Sequence, residues 1–192
     1  MRRANNGDKD LIIDILTQSF ESNQSVNYIV TQDDKRIQRI RALMDYSFEV
    51  CSLFGEVFIS EDNKACALIV YPDKKKTSLK SILLDVKLIM KCVGVKNIKK
   101  ALDREALIKK IQPKETMTYL WFIGVGLADQ NNGLGSAMLQ AIIEHSNKNN
   151  RPIYLETSTV RNLPWYSKFG FEVYSEQDLS YRLYFLKREL KK

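Results

Sequence analysis

The chain has a single histidine, three cysteines and four prolines in 192 residues, and each shortage removes a class of chemistry. His145 has no second imidazole beside it, so histidine-based triads and multi-histidine metal sites have nothing to draw on. It falls at helical spacing with Leu134, Met138 and Ala141 and is read as structural. Cys51, Cys66 and Cys92 lie far apart with no C-x-x-C, which indicates neither a zinc site nor a disulfide framework. Buried thiols are expected instead, and no metal. No apolar run reaches the roughly 18–20 residues of a membrane span. Met1-Arg2-Arg3 is not followed by an apolar signal segment. A cytoplasmic protein with no integral membrane association is therefore expected. Repeats, low-complexity tracts and flexible linkers are also missing, so residues 1–192 read as one domain.

What is present is an ordinary apolar content of 44% and a net charge of +7 that is unevenly spread. Between Pro72 and Thr116 there are 13 Lys or Arg against 5 Asp or Glu, whereas the remainder holds 17 against 18. Any electrostatic function belongs to that segment. Its lysines, spaced along amphipathic helices, permit docking on nucleic acid or an anionic membrane. Solvated helix faces are the plainer reading, so no nucleic-acid partner is expected.

The periodicities give an order of elements. Met1–Ala4 reads as a short strand, Asp8–Phe20 and Asp33–Phe54 as helices, and Glu56–Ser60 with Ala65–Tyr71 as a hairpin. In the basic segment, Leu79, Ile82, Leu83, Val86, Ile89, Met90 and Val93 follow helical spacing, with Lys80, Lys87 and Lys91 on the other face and Gly94 as a stop. Ile98–Ile111 is a second helix before Pro113. Strands follow at Thr118–Val125 and Ile153–Thr157, a helix at Gly133–Asn147, and a closing strand pair at Phe171–Tyr174 and Tyr181–Arg188.

The junction between strand Thr118–Val125 and the next helix carries the chemistry. The run Gln130-Asn131-Asn132-Gly133-Leu134-Gly135-Ser136 sets consecutive free N–H groups at a helix N-terminus, with glycines clearing room for a close phosphate. A P-loop needs Lys then Ser or Thr after the last glycine, and Gly135 is followed by Ser136-Ala137. The dinucleotide fingerprint lacks its first glycine.

What remains, Gln-x-x-Gly-x-Gly after Ile123-Gly124-Val125, resembles the acetyl-coenzyme A loop of the GNAT superfamily of N-acetyltransferases. About 30 residues on, Asn162, Pro164, Trp165, Tyr166, Gly170 and Phe171 fill the family's Asn-x-Pro-aromatic-Tyr-x-x-x-Gly-Phe signature in order. The wording around Glu156 and Arg161–Tyr166 is also similar to the puromycin-acetyltransferase branch. Leu127 and Asn131 stand where the family often has Pro and Gly; Asn tolerates left-handed backbone angles, which keeps the loop feasible.

The resemblance implies an α/β fold with a mixed sheet, the GNAT acyl-CoA N-acyltransferase fold, and a helical insertion at 72–116 between the third and fourth strands, near the acceptor side. It implies acetyl-CoA as cosubstrate. The loop amides from Asn131 to Ser136 would hold the pyrophosphate, and Gln130 would order the loop or reach a phosphate. Ile123 and Val125 would pair with the pantetheine arm across an opened strand edge. An N–H near Gly124 or Val125 would meet the thioester oxygen. Gly124 and Gly126 flank Val125 as a bulge or a close ligand approach favours. Tyr166 takes the position of the general acid beside the sulfur, and its usual pKa of ~10 suits donation to a thiolate. Asn162 would bind the coenzyme arm, cap a helix, or do both.

For the base, strand Tyr119–Val125 offers no acid. Glu156, among apolar neighbours on the next strand, could take the proton directly or through water. The expected acceptor is a small-molecule primary amine, attacked directly in a ternary complex, by a monomer or homodimer. A protein lysine or N-terminus, and a non-catalytic coenzyme A-binding module, stay open.

Overall fold

In α1 (Lys9–Phe20) the apolar residues recur so that Ile12, Ile13, Ile15 and Leu16 bury one helix face. In α3 (Arg36–Phe54) Ile40, Leu43, Met44, Phe48 and Cys51 do the same, and both helices pack on one face of a central sheet. The computed structural model describes residues 1–190. The sheet has seven strands: β1 (Arg2–Arg3), β2 (Gly55–Ile59), β3 (Ala65–Val70), β4 (Thr118–Val125), β5 (Ile153–Thr157), β6 (Glu172–Asp178) and β7 (Arg182–Arg188). Their spatial order is β1-β2-β3-β4-β5-β7-β6. The opposite face is covered by α6 (Leu134–Lys148) and α7 (Leu163–Lys168), with Met138, Leu139, Ile142 and Ile143 packing on Ile69, Leu120, Ile153 and Leu155.

All strand pairs among the described residues are antiparallel except β4 with β5. That parallel pair has only two registered positions, Thr118 with Ile153 and Tyr119 with Tyr154. Beyond them the strands diverge, and the C-terminal half of β4 has a free edge. This mixed sheet is the expected α/β architecture.

The expected helical pair sits between β3 and β4: α4 (Leu79–Leu88), continued by a π turn at Ile89–Val93, and α5 (Ile98–Ile111). Gly94 stops the first helix at φ 70°. Its orientation is the reverse of the sequence expectation. Lys80 and Lys87, still exposed on the helix flank, pair with Glu49 and Asp45 of α3 at 3.4 and 2.6 Å, while Leu79, Leu83 and Met90 face outward. Only Leu84, Cys92 and Val93 of this stretch are buried. The apolar spacing marked the helix correctly, but the face it packs inward is the one that carries Leu84, Cys92 and Val93.

Two further details depart from expectation. A short helix, α2 (Gln24–Ile29), capped by the Asn23 side chain, fills a stretch with no strong periodicity. Asp33 and Asp34 precede α3 rather than opening it, and Asp33 is engaged by the Lys35 amide and the Arg39 guanidinium.

Candidate active site

The bulge in β4 lies at Trp121, where the register against β3 shifts between Leu68–Phe122 and Ile69–Leu120. It therefore stands earlier in the strand than the Gly124–Gly126 stretch suggested. The extra residue lets Trp121 and Phe122 both join the core on the α1–α3 face, while Ile123 and Val125 face α6 and α7. Gly124 is small for packing: a Cβ there would lie 2.9 Å from Leu16 Cδ2 and 3.2 Å from Ser19 Oγ.

Backbone direction in β4 follows from one bond. The Gly126 N–H donates to the Lys64 carbonyl at 2.9 Å, on the β3 side. Strand groups alternate, so Gly124 also addresses β3, whereas Ile123 and Val125 present N–H and C=O to the diverging edge. The Val125 carbonyl accepts from Ser19 Oγ at 2.9 Å and from Gln130 Nε2 at 3.4 Å. Gln130 thus ties the loop to the strand end.

The loop that follows uses two left-handed residues, Asn131 at φ 63° and Gly133 at φ 79°, to turn the chain into α6. Asn at the first of these meets the conformational need that glycine would otherwise serve. Unlike α2 and α4, whose Asn23 and Ser78 side chains cap their first turns, α6 has no side-chain cap. Its first-turn amides at Leu134, Gly135 and Ser136 lack an intrahelical acceptor. Gly135 opens the approach: a Cβ there would sit 3.5 Å from Val125 Cγ2 and 3.9 Å from Trp165 Cζ2. Asn131 and Asn132 are exposed beside this cradle. Residue types, uncapped amides and clearance all suit a bound diphosphate.

The second motif docks on the first. Trp165 Nε1 donates to Ser136 Oγ at 2.9 Å, and its ring lies 4.7 Å from that of Tyr166. Tyr166 is buried between Trp165 and Phe171, yet lines the cleft; burial alone pushes its phenol upward in pKa. Asn162 immediately precedes α7 but makes no capping bond, so its side chain is left to the cleft.

Glu156 stands on β5 just past the point where the strands part. Its carboxylate accepts from the Tyr119 hydroxyl and from Gln112 Nε2 at 3.1 Å. Burial raises its pKa; these two bonds and the charge of Arg104 work in the opposite direction. Tyr119 is pushed well up by burial and then by the neighbouring carboxylate. Arg104 itself donates to Tyr181 Oη at 3.1 Å and Ser25 Oγ at 2.6 Å.

Most of these groups border one cleft of about 1840 Å³. It brings together Ile123, Gly124, Val125, Gln130, Asn131, Gly133, Gly135, Ser136, Glu156, Asn162 and Tyr166. Asn132 and Leu134 stay off its lining, with Leu134 packed toward α6's own core. The residues that sequence reasoning missed are Ser19, Ser25, Arg104, Gln112 and Tyr119. Ser19, Ser25 and Arg104 are distant in sequence from both motifs, Gln112 follows the last helix of the insertion, and Tyr119 lies on β4 itself but at no position that either motif marks. His145 faces away from the cleft, 3.3 Å from both Glu56 Oε2 and Tyr71 Oη.

Among the described residues no cluster of His, Cys, Asp and Glu could hold a metal ion, and no helix is long and apolar enough to cross a membrane.

Residues 50–171 match the sequence model of the Acetyltransferase (GNAT) family. Three similar solved structures cover almost all of the chain. One is described as histone acetyltransferase HPA2 and related acetyltransferase from Corynebacterium glutamicum; it is 16% identical with a TM-score of 0.71, over 100% of this chain and 96% of that one. Arylalkylamine N-acetyltransferase 2 from Aedes aegypti is 15% identical with a TM-score of 0.66, over 99% and 98%. A GNAT-family acetyltransferase structure from Desulfovibrio desulfuricans is 13% identical with a TM-score of 0.54, over 99% and 98%. At these identities the likeness is one of fold.

Proposed function

This chain belongs to the GNAT family of acetyltransferases, and from that premise we propose that it transfers an acetyl group from acetyl-CoA to the primary amine of a small molecule. The carrying observation is the parting of β4 from β5 after Tyr119 and Tyr154, which opens one cleft to the α6 amides, Tyr166 and Glu156 together.

The amides from Asn131 to Ser136, backed by the positive end of α6, hold the diphosphate. The free edge of β4 at Ile123 and Val125 receives the amide-bearing arm as an added strand would be received. The Val125 N–H points to that edge and donates to the thioester oxygen as negative charge builds there. Glu156 removes the proton from the acceptor ammonium, directly or through water, which frees the nitrogen lone pair to attack. As the carbon–sulfur bond breaks, Tyr166 gives its proton to the departing sulfur.

A small acceptor is supported by the insertion. α5 crosses the open end of the split, with Ile108 packed against Tyr181, Leu183 and Phe185 of the far half-sheet and Gln112 bonded to Glu156. An amine-panel assay following free thiol, paired with calorimetry of acetyl-CoA binding, tests the reading. Absence of binding heat from a folded sample would overturn it at the first step, and binding with no thiol release from any small amine at the second.

A further inference from the structure

The outward face of α4 is apolar over its whole length. Leu79, Ile82, Leu83, Val86 and Met90 are 82, 47, 68, 48 and 75% exposed, and Val95, just past the Gly94 stop, is 82% exposed. Large side chains of this kind are scattered singly on most soluble surfaces; a continuous helical stripe of them marks an interaction site. The orientation is not a frayed end. Lys80 and Lys87 are clamped to Glu49 and Asp45, Leu84 is buried, and the Ser78–Ser81 capping box fixes the first turn.

Charge decides what the stripe faces. Lys76 lies before it and Lys91 and Lys96 at its end, all exposed and without an ion pair among the described residues. We propose that the α4 stripe, flanked by these lysines, docks the protein on an anionic lipid surface, with Leu79, Leu83 and Met90 entering the headgroup–acyl boundary. An interfacial helix has this make-up: an apolar face that sinks about 5–10 Å, and lysines that meet anionic headgroups.

Two other occupants fit less well. Nucleic acid attracts the lysines but offers phosphates to a central row of leucines. A second copy in a two-fold dimer would set the same cationic patch against itself. Ile82 borders both the stripe and the cleft, so a docked surface lies next to the cleft mouth.

Vesicle flotation with the full chain tests this, using phosphatidylcholine vesicles with and without phosphatidylserine, at low and high salt. The expected result is retention on the phosphatidylserine vesicles only, falling with salt. Leu83→Asp with Met90→Asp should abolish it, with the melting curve and acetyl-CoA binding unchanged. Lys76→Gln, Lys91→Gln and Lys96→Gln together should weaken it roughly a hundredfold, at the ~1 kcal/mol that each lysine contributes near such a surface. No retention at low salt, or retention indifferent to the aspartates, would overturn the proposal. So would light scattering that shows a dimer split by the aspartates while vesicles retain nothing; the stripe would then belong to a second copy.

Discussion

In the proposed reaction Tyr166 and Glu156 would do opposite things with a proton, and their surroundings suit the two tasks. The phenol sits among Trp165, Phe171 and the β-sheet core with nothing near it to stabilise a charge, so it holds its proton until a strongly basic sulfur appears. Tyr166→Phe keeps the packed ring and should lower kcat by roughly a hundred- to ten-thousandfold, with acetyl-CoA binding heat unchanged by calorimetry. Glu156 is half-buried and hydrogen-bonded, and desolvation raises its pKa above the usual carboxylate value. Two consequences follow from that sign. As a base it must be ionised, so kcat/KM should climb with pH through the raised pKa, and Glu156→Gln should remove that limb along with most activity. With its pKa raised in the fold it binds its proton more tightly folded than unfolded, so it costs stability once the pH passes the unfolded value and the cost levels off above the folded one. Glu156→Gln should therefore melt higher than the parent at neutral pH, with the gap closing as the pH falls toward ~4.

At the scale of elements, glycines separate two kinds of constraint. A methyl group added to Gly133 would meet nothing within 4 Å, so the only demand on that residue is the left-handed turn into α6. Gly133→Ala should cost about 1 kcal/mol, lowering Tm by roughly 2–4 °C, and should weaken acetyl-CoA binding by disturbing the cradle. Gly55 is the contrary case: its backbone is extended, but a Cβ would fall 2.0 Å from the Ile69 carbonyl oxygen across the β2–β3 pair. Gly55→Ala should destabilise by about 3 kcal/mol or more, measurable by urea unfolding. The elements themselves were largely legible: β4, β5 and α5 fall on the expected boundaries, because β4 alternates and ends before Gly126, β5 is a short apolar run after Pro152, and α5 stops just before Pro113. α2 was not, since six residues held by an Asn23 cap carry too little period to read. The facing of α4 was not either, because the core residues of α1 and α3 that Leu84, Cys92 and Val93 join lie far back along the chain. The same kind of distance hid Gln112 and Arg104 from the candidate site, and Tyr119 fell at no motif position, while the loop and the Asn162–Phe171 signature were readable as contiguous words.

Across the whole molecule, three buried thiols give a probe of integrity. Cys51, Cys66 and Cys92 are enclosed, and burial pushes the Cys66 and Cys92 thiols up to about 12. A chromogenic disulfide reagent should label none in the native protein and all three after denaturation, with native labelling tracking unfolding. Coenzyme thiol released in the amine assay can then be read without background from the protein. The sheet's two halves, β1–β4 and β5–β7, meet through just two registered residue pairs and are bridged by α5. One side of the resulting hollow is written by residues 130–136 and the other largely by residues 72–116, two stretches that share no strand. Heredity can thus redraft the second passage while the first stays verbatim, so new clients are reachable by exchanging one uninterrupted cassette.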